Sequence, residues 1–244
     1  MSKAYFISDA HLGLGTREEE RAKENRLLSF FDYIKENADF LFIAGDLFDA
    51  WIEYRTVIPK GFHRILTKLE ELSSKGIKIH FLAGNHDCWV RDYFENEIGI
   101  ETHLEPFEIT INDKRIYIHH GDGMAQNDAG YRILKKIVRN KFSIWLFSWI
   151  HPDIGLKLAR SSSRTSRGYS SNKHYGEEDG MRKFAREQIM NGIDYVVMGH
   201  RHVPVIEQFG NGTYINLGDW ISQYRYALID NGEMSLNEWK QHES

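Results

Sequence analysis

Three short apolar runs, at residues 4–8, 40–44 and 79–83, alternate with charged stretches of helical periodicity, and this order constrains the fold more than any other feature of the chain. Between the runs, residues 18–37 place Leu27, Leu28, Phe31 and Ile34 at helical spacing. Phe62, Ile65, Leu66, Leu69 and Leu72 do the same ahead of a Lys75-Gly76 stop. The pattern predicts an α/β start in which both helices cover sheet faces. From Phe107 the pattern changes. Two strands flank Asn112-Asp113, and residues 195–198, 205–208, 213–217 and 224–230 read as further strands with glycine-rich turns between them. The second half is therefore expected to be mostly antiparallel. Residues 129–188 read as largely helical, with a polar break at 161–173 rich in Ser, Arg and Gly, and are expected to form an inserted cap. A chain of 244 residues with ordinary hydrophobic content fits one large domain spanning 1–244.

Five short motifs each follow one of these strand-like runs: Asp9-Ala10-His11, Gly45-Asp46, Gly84-Asn85-His86-Asp87, His120-Gly121-Asp122 and Gly199-His200-Arg201-His202. In open α/β sheets, loops from separate strands converge beyond the carboxyl ends, where ligands gather. Glycines beside the polar residues allow sharp turns and close backbone approach, while His and Asp donors suit Mn, Fe, Zn or Ni. Any one motif is weak, because an Asp-x-His or a Gly-Asp is usually a turn. Five in order are hard to explain as unrelated turns.

That order resembles the calcineurin-like metallophosphoesterases, and every ligand position of their pattern is filled. The resemblance implies a four-layer αββα sandwich with a helical cap over a cleft that holds two divalent metal ions. Manganese is the first expectation, with iron, zinc or nickel as alternatives. Asp9, His11 and His202 would hold one ion, Asn85, His120 and His200 the second, and Asp46 would bridge both. Two such ions clamp a phosphoryl group and acidify a shared water that attacks phosphorus in line. His86 would neutralise developing charge or protonate the leaving oxygen, with Asp87 orienting its ring and Asn85 on the same catalytic loop. Alternation along the preceding strand turns His119 away from His120. His63, His80, His103, His151 and His174 have no partner at ligand spacing, and Cys88 lacks a second thiol.

Finer features narrow the likeness. Residues 45–51 are similar to the G-D-L-F-D/E-x-W segment of the UDP-2,3-diacylglucosamine pyrophosphatases of lipid A synthesis. Asp128 and Tyr131 resemble their D-x-x-Y, Arg160, Ser163 and Arg164 their R-x-x-S-K, and residues 217–220 their L-G-x-W. The resemblance implies cleavage of a UDP-linked diacylglucosamine to UMP and an acylated sugar 1-phosphate. Substrate contacts would come from Asp128, Tyr131, Arg160, Ser163 and Arg164, joined by Asn85 and His86, and Arg167 is added on charge. The chain departs from the pattern where His86 replaces an Arg and where Gly199-His200-Arg201-His202-Val203-Pro204 replaces G-H-T-H-R-P. A phosphodiesterase, nucleotide pyrophosphatase or nuclease of other specificity is the alternative. A metal-free scaffold would be expected to have lost ligands.

Charge distribution bears on the same choice. The net charge is only −4, yet residues 132–173 carry ten Lys and Arg against Asp153 alone, a local +9 that leaves −13 elsewhere. The same segment holds Phe142, Ile144, Trp145, Leu146, Phe147 and Trp149 in one apolar block. That composition suits anionic lipid headgroups and acyl chains. Base-stacking platforms would interleave aromatics with the basic residues, so nucleic acid is not an expected partner. A single cysteine excludes an internal disulfide, and no run reaches the roughly 18–20 apolar residues that span a bilayer. A cytoplasmic protein, peripheral on the inner membrane face, is expected. Oligomeric state is left open.

Overall fold

A computed structural model describes residues 1–124, 129–170 and 180–240. Its first sheet begins with β1 (Ala4–Ile7), β2 (Phe40–Ile43), β3 (Lys78–Leu82) and β4 (Glu101–His103), all parallel, with α1 (Arg17–Ile34) and α2 (His63–Ser74) in the crossovers. Thr16 starts α1 through a capping box with Glu19, satisfying two N–H groups that the helix itself leaves unpaired. Gly76, at φ 94°, lets the chain turn after α2. On the far side of β1, β10 (Arg225–Asp230) and β11 (Glu233–Glu238) extend the sheet antiparallel, giving the order β11-β10-β1-β2-β3-β4.

The second sheet runs β5 (Phe107–Ile111), β6 (Lys114–His119), β7 (Tyr195–Met198), β9 (Gly212–Asn216) and β8 (Val205–Phe209) in spatial order. Its centre, β6-β7-β9, is parallel, and antiparallel pairing is confined to the flanking β5-β6 and β8-β9 hairpins. Counting β10 and β11 of the first sheet, the second half is mostly antiparallel as expected, and the parallel centre β6-β7-β9 is the exception. Alternation marks a strand without naming its partner, and the helices between β6 and β7 permit a parallel crossover.

Alternation along the strands builds three cores. Tyr5, Ile7, Leu41, Ile43, Ile79 and Phe81 face α1 and α2, burying Leu27, Phe30, Ile65 and Leu69 with them. The opposite parity puts Ala4, Phe6, Phe42 and Leu82 against Ile116, Ile118, Val197 and Ile215 of the second sheet. Behind that sheet, Met181, Ala185 and Ile189 of α6 (Gly180–Met190) pack on Val196, Met198 and Tyr214. The result is the expected αββα layering, and α6 is its outer layer rather than part of the cap. Three helices remain above the strand ends: α3 (Ala129–Val138), α4 (Lys141–Phe147) and α5 (Pro152–Ser170). The polar break expected from residue 161 is absent as far as 170. Pro152 opens α5 at a position where its missing N–H costs nothing, and Arg and Ser side chains do not stop a helix already begun.

Candidate metal centre

The five motifs arrive at one place. β1 delivers Asp9 and His11, β2 delivers Asp46, β3 delivers Asn85 and His86, β6 delivers His120, and β7 delivers His200 and His202. Asp9, His11, Asp46, His200 and His202 all have φ between 43° and 70°, a left-handed conformation that costs a non-glycine residue energy and is held only where the surroundings enforce it. Two glycines do part of that enforcing. A Cβ on Gly84 would collide with the Asp46 carboxylate, and one on Gly199 with that of Asp9.

Asp9, His11 and His202 bring ligand atoms within 4.8 Å of one another, and Asp46, His120 and His200 form a second such group. Asp46 Oδ2 lies 3.2 Å from His120 Nε2 and 3.7 Å from His11 Nε2, between the two groups. Asn85 Oδ1 is 3.1 Å from His120 Nε2. The ring of His120 is set from behind, because Nδ1 lies 2.9 Å from the Ala44 carbonyl and so carries the proton, leaving Nε2 as the donor atom facing inward. Backbone N–H groups of His200 and His86 donate to Asp9 Oδ2 and Asp46 Oδ1, each at 2.9 Å, fixing both carboxylates.

The donor set fits divalent cations. Asp9 Oδ1 is buried without a hydrogen bond, an arrangement that costs free energy unless a cation nearby compensates it. Protons feel the same field. Burial disfavours charge on His120 and His11, yet the carboxylates outweigh it: Asp46 holds His120 up to about 10, and Asp49, Asp9 and Asp46 hold His11 up to about 9. Burial alone would raise Asp9, but His11 and His202 pull its carboxyl well below the usual range. Burial and the neighbouring His120 push His200 down to about 4, the neutral form that a metal binds.

Comparison with known proteins settles the family. Residues 2–204 match the calcineurin-like phosphoesterase model. The chain belongs to the calcineurin-like phosphoesterase family. A UDP-2,3-diacylglucosamine hydrolase of Porphyromonas gingivalis is 33% identical over 253 residues, covering 96% of this chain and 97% of its own. One from Histophilus somni is 33% identical over 228 residues, covering 90% and 93%. A solved archaeal phosphodiesterase shares the fold at TM-score 0.50 and 14% identity, with 97% of this chain and 99% of that one aligned. As a calcineurin-like phosphoesterase the chain is a metal-dependent phosphoester hydrolase that uses divalent ions.

Within this calcineurin-like phosphoesterase, His86 sits where the metal groups meet the cap. Its Nε2 is 3.9 Å from Asp46 Oδ2 and its ring is 4.7 Å from that of His11. Its orientation does not come from Asp87. That carboxylate is fully buried and accepts from the backbone N–H groups of Gly84 (2.8 Å), Asp46 (3.2 Å) and Phe48 (3.3 Å), locking two metal loops together. Burial, then the Asp46 charge, raises it to about 7. Asp49 takes the expected role instead: its carbonyl lies 3.2 Å from His86 Nδ1 and its carboxylate 3.7 Å from His11 Nδ1. The same carboxylate accepts from the Ser163 hydroxyl of α5 at 2.8 Å. Sequence reasoning missed this residue although it lies three positions after Asp46.

A cavity of about 310 Å³ opens beside His86 and Asn85 and runs under the cap between Trp89, Leu134, Phe147 and Leu158. Ser163 lines it, whereas Arg160 is exposed on α5 and does not. Asp128 lies outside the described residues, as do the side chains of Tyr131, Arg164 and Arg167. The cap is tied down by Lys135, 2.8 Å from the buried Asp122 carboxylate, and by Arg139, which donates to the Gly84 and Leu104 carbonyls at 2.9 Å. His119, which alternation turns away from His120, is buried. Burial lowers it to about 3, and its Nδ1 accepts from the Gly121 N–H at 2.6 Å.

Proposed function

We propose that this phosphoesterase cleaves the pyrophosphate of UDP-2,3-diacylglucosamine, releasing UMP and 2,3-diacylglucosamine 1-phosphate. The observation that carries the reading is the apolar cavity opening directly onto Asn85 and His86. A substrate with acyl chains beside its scissile phosphate needs that juxtaposition, and a soluble nucleotide or a simple diester does not. The relatives named UDP-2,3-diacylglucosamine hydrolase, which align over nearly their whole length, support the same substrate.

In this mechanism Asp9, His11 and His202 would hold one cation and Asn85, His120 and His200 the other, with Asp46 serving both and manganese as the first choice. When bound, the pair supplies charge stabilisation at the phosphoryl group and a water acidic enough to attack at neutral pH. The chain's own residues do the rest. His86, with Nδ1 turned to Asp49, presents Nε2 toward the reacting phosphate, where a proton on that atom stabilises the departing UMP or sugar phosphate oxygen. Asp87 keeps the Asp46 and Asn85 loops in register. Trp89, Leu134 and Phe147 take the acyl chains and exclude water from the cavity. Ser163, and by extension Asp128, Tyr131, Arg164 and Arg167, would provide polar contacts around the sugar and phosphates.

Residues 1–244 are proposed to work as one domain in which α3–α5 are the cap. Among the described residues no helix is long and apolar enough to cross a membrane. Exposed Ile137, Phe142, Trp145 and Trp149 project from the strongly basic segment, which supports seating on an anionic membrane face that delivers the lipid. The test is turnover of UDP-2,3-diacylglucosamine with added manganese, beside an aryl phosphodiester and a single-stranded oligonucleotide, using Asp46→Asn as blank. Rapid UMP release with little action on the other two is expected. Diester hydrolysis without any action on the lipid sinks the substrate assignment and leaves the metal centre intact.

A further inference from the structure

A second cluster of ligand-type side chains lies at the edge of the first sheet and shares no residue with the metal centre. The sequence separates His80 from His103 by more than twenty residues, so neither has a partner at ligand spacing. The fold corrects that reading. Parallel pairing sets His80 opposite Glu101 and Leu82 opposite His103, so His80, Glu101 and His103 come up on the same side of β3 and β4. This is the side that faces the second sheet. His80 stacks on the core residue Phe42 at 4.9 Å with the planes 7° apart, and His103 lies on Phe107 at 3.6 Å and 13°.

The donor atoms are spaced for a common ion. His80 Nδ1 is 3.1 Å from His103 Nε2. The Glu101 carboxylate turns one oxygen to each ring, Oε2 at 3.4 Å from His80 Nδ1 and Oε1 at 3.4 Å from His103 Nε2. A tetrahedral ion with bonds of about 2.0–2.1 Å holds neighbouring ligands about 3.3–3.4 Å apart. Hydrogen bonding explains the trio less well. Two imidazoles can share one proton, but a carboxylate accepting from either ring would be expected at about 2.7–2.9 Å. The aromatic stacking holds both rings in place before any ligand arrives, and the Glu101 side chain is 63% exposed, so an ion can enter from solvent.

We propose that His80, Glu101 and His103 form a zinc-class site, with water in the fourth position, that fastens the edge strand β4 to β3. Two imidazoles and one carboxylate are donors suited to Zn²⁺. The ion would hold a three-residue edge strand that has sheet hydrogen bonds on one side only.

The test uses the full chain, stripped with chelator, reloaded with Zn²⁺ alone and passed through gel filtration before metal analysis. Wild type should retain about three ions per chain, two at the metal centre and one at the edge. Two variants should retain about two: His103→Phe, which keeps a ring on Phe107 but removes the donor, and Glu101→Lys, on an exposed side chain. Both should keep the slow manganese-dependent diester hydrolysis of wild type within about twofold, which reports an intact fold and centre. Co²⁺ in place of Zn²⁺ should give a visible tetrahedral absorption band that is weaker in both variants. Two ions in wild type, or three in either variant, overturns the proposal.

Discussion

Around the metal centre, Asp9, Asp46 and His120 are buried and held by backbone, through the His200 N–H, the His86 N–H and the Ala44 carbonyl in turn. Across α3–α5 the order is reversed. Ile133, Phe142, Trp145 and Trp149 are each more than half exposed, and a few polar ties, from Lys135, Arg139 and Ser163, fasten the helices to the layers below. The first region is over-determined, so its geometry survives without a ligand and its chemistry is the family's. The second leaves large apolar side chains exposed, and it is where the proposed lipid and membrane contacts, and with them the proposed specificity, are placed.

That contrast can be broken by substitution. Asp46→Asn should lower kcat/KM by about 10³-fold on every phosphoester, with loss of bound metal measured in the same preparation. A comparable loss confined to the lipid would place Asp46 in substrate recognition instead. Stability should divide along the same line. Phe42→Ala, emptying a ring site between the sheets, should cost about 3–5 kcal/mol in denaturant unfolding, whereas Trp145→Ala should cost about 0.5 kcal/mol or less. Asp49→Ala touches both regions and should lower kcat by about 10–100-fold while the metal content stays that of wild type. An unchanged kcat would show that His86 is oriented by other contacts. In the cap alone, Trp149→Ala should weaken binding to vesicles rich in anionic lipid by about tenfold and leave soluble diester hydrolysis unchanged.

A further expected effect is one of pH. Burial lowers His119 from its ordinary value to about 3, so its contribution to stability is complete above about 6.5 and is lost as pH falls toward 3. Protonation would also remove the acceptor for the Gly121 N–H, next to His120. Thermal unfolding of wild type should therefore fall more steeply between pH 6 and about 4 than that of His119→Asn. Parallel curves would remove His119 from the account.

What could be read from the sequence was local. Strands β1, β2 and β3 and the motifs after them were legible because alternation and ligand identity lie within a few residues of each other. The pairing of strands was not. Nothing near Ile116 or Tyr195 says that β6 and β7 run parallel, and nothing near His80 announces Glu101. The continuation of α5 through Ser161 was hidden by composition, since serine and arginine are common in loops yet tolerated in helices. Asp49 was visible as a letter in a motif. Its use, bridging His11, His86 and Ser163, depends on three other segments of chain and so belongs to the fold.

The position of β10 bears on how this protein is made. β1, which presents Asp9, is flanked on one side by β2 and on the other by a strand that ends at Asp230, and the Trp220 N–H donates to the Asp9 carbonyl at 3.1 Å. His200 and His202 likewise arrive late. During synthesis the first half can collapse onto α1 and α2, but β1 keeps an open flank, and its first metal ligand lacks these partners, until more than two hundred further residues have left the ribosome. Contacts of such long sequence separation slow folding and leave strand edges open to misassociation. Metal loading of this chain is therefore expected to follow completion of the polypeptide rather than accompany it.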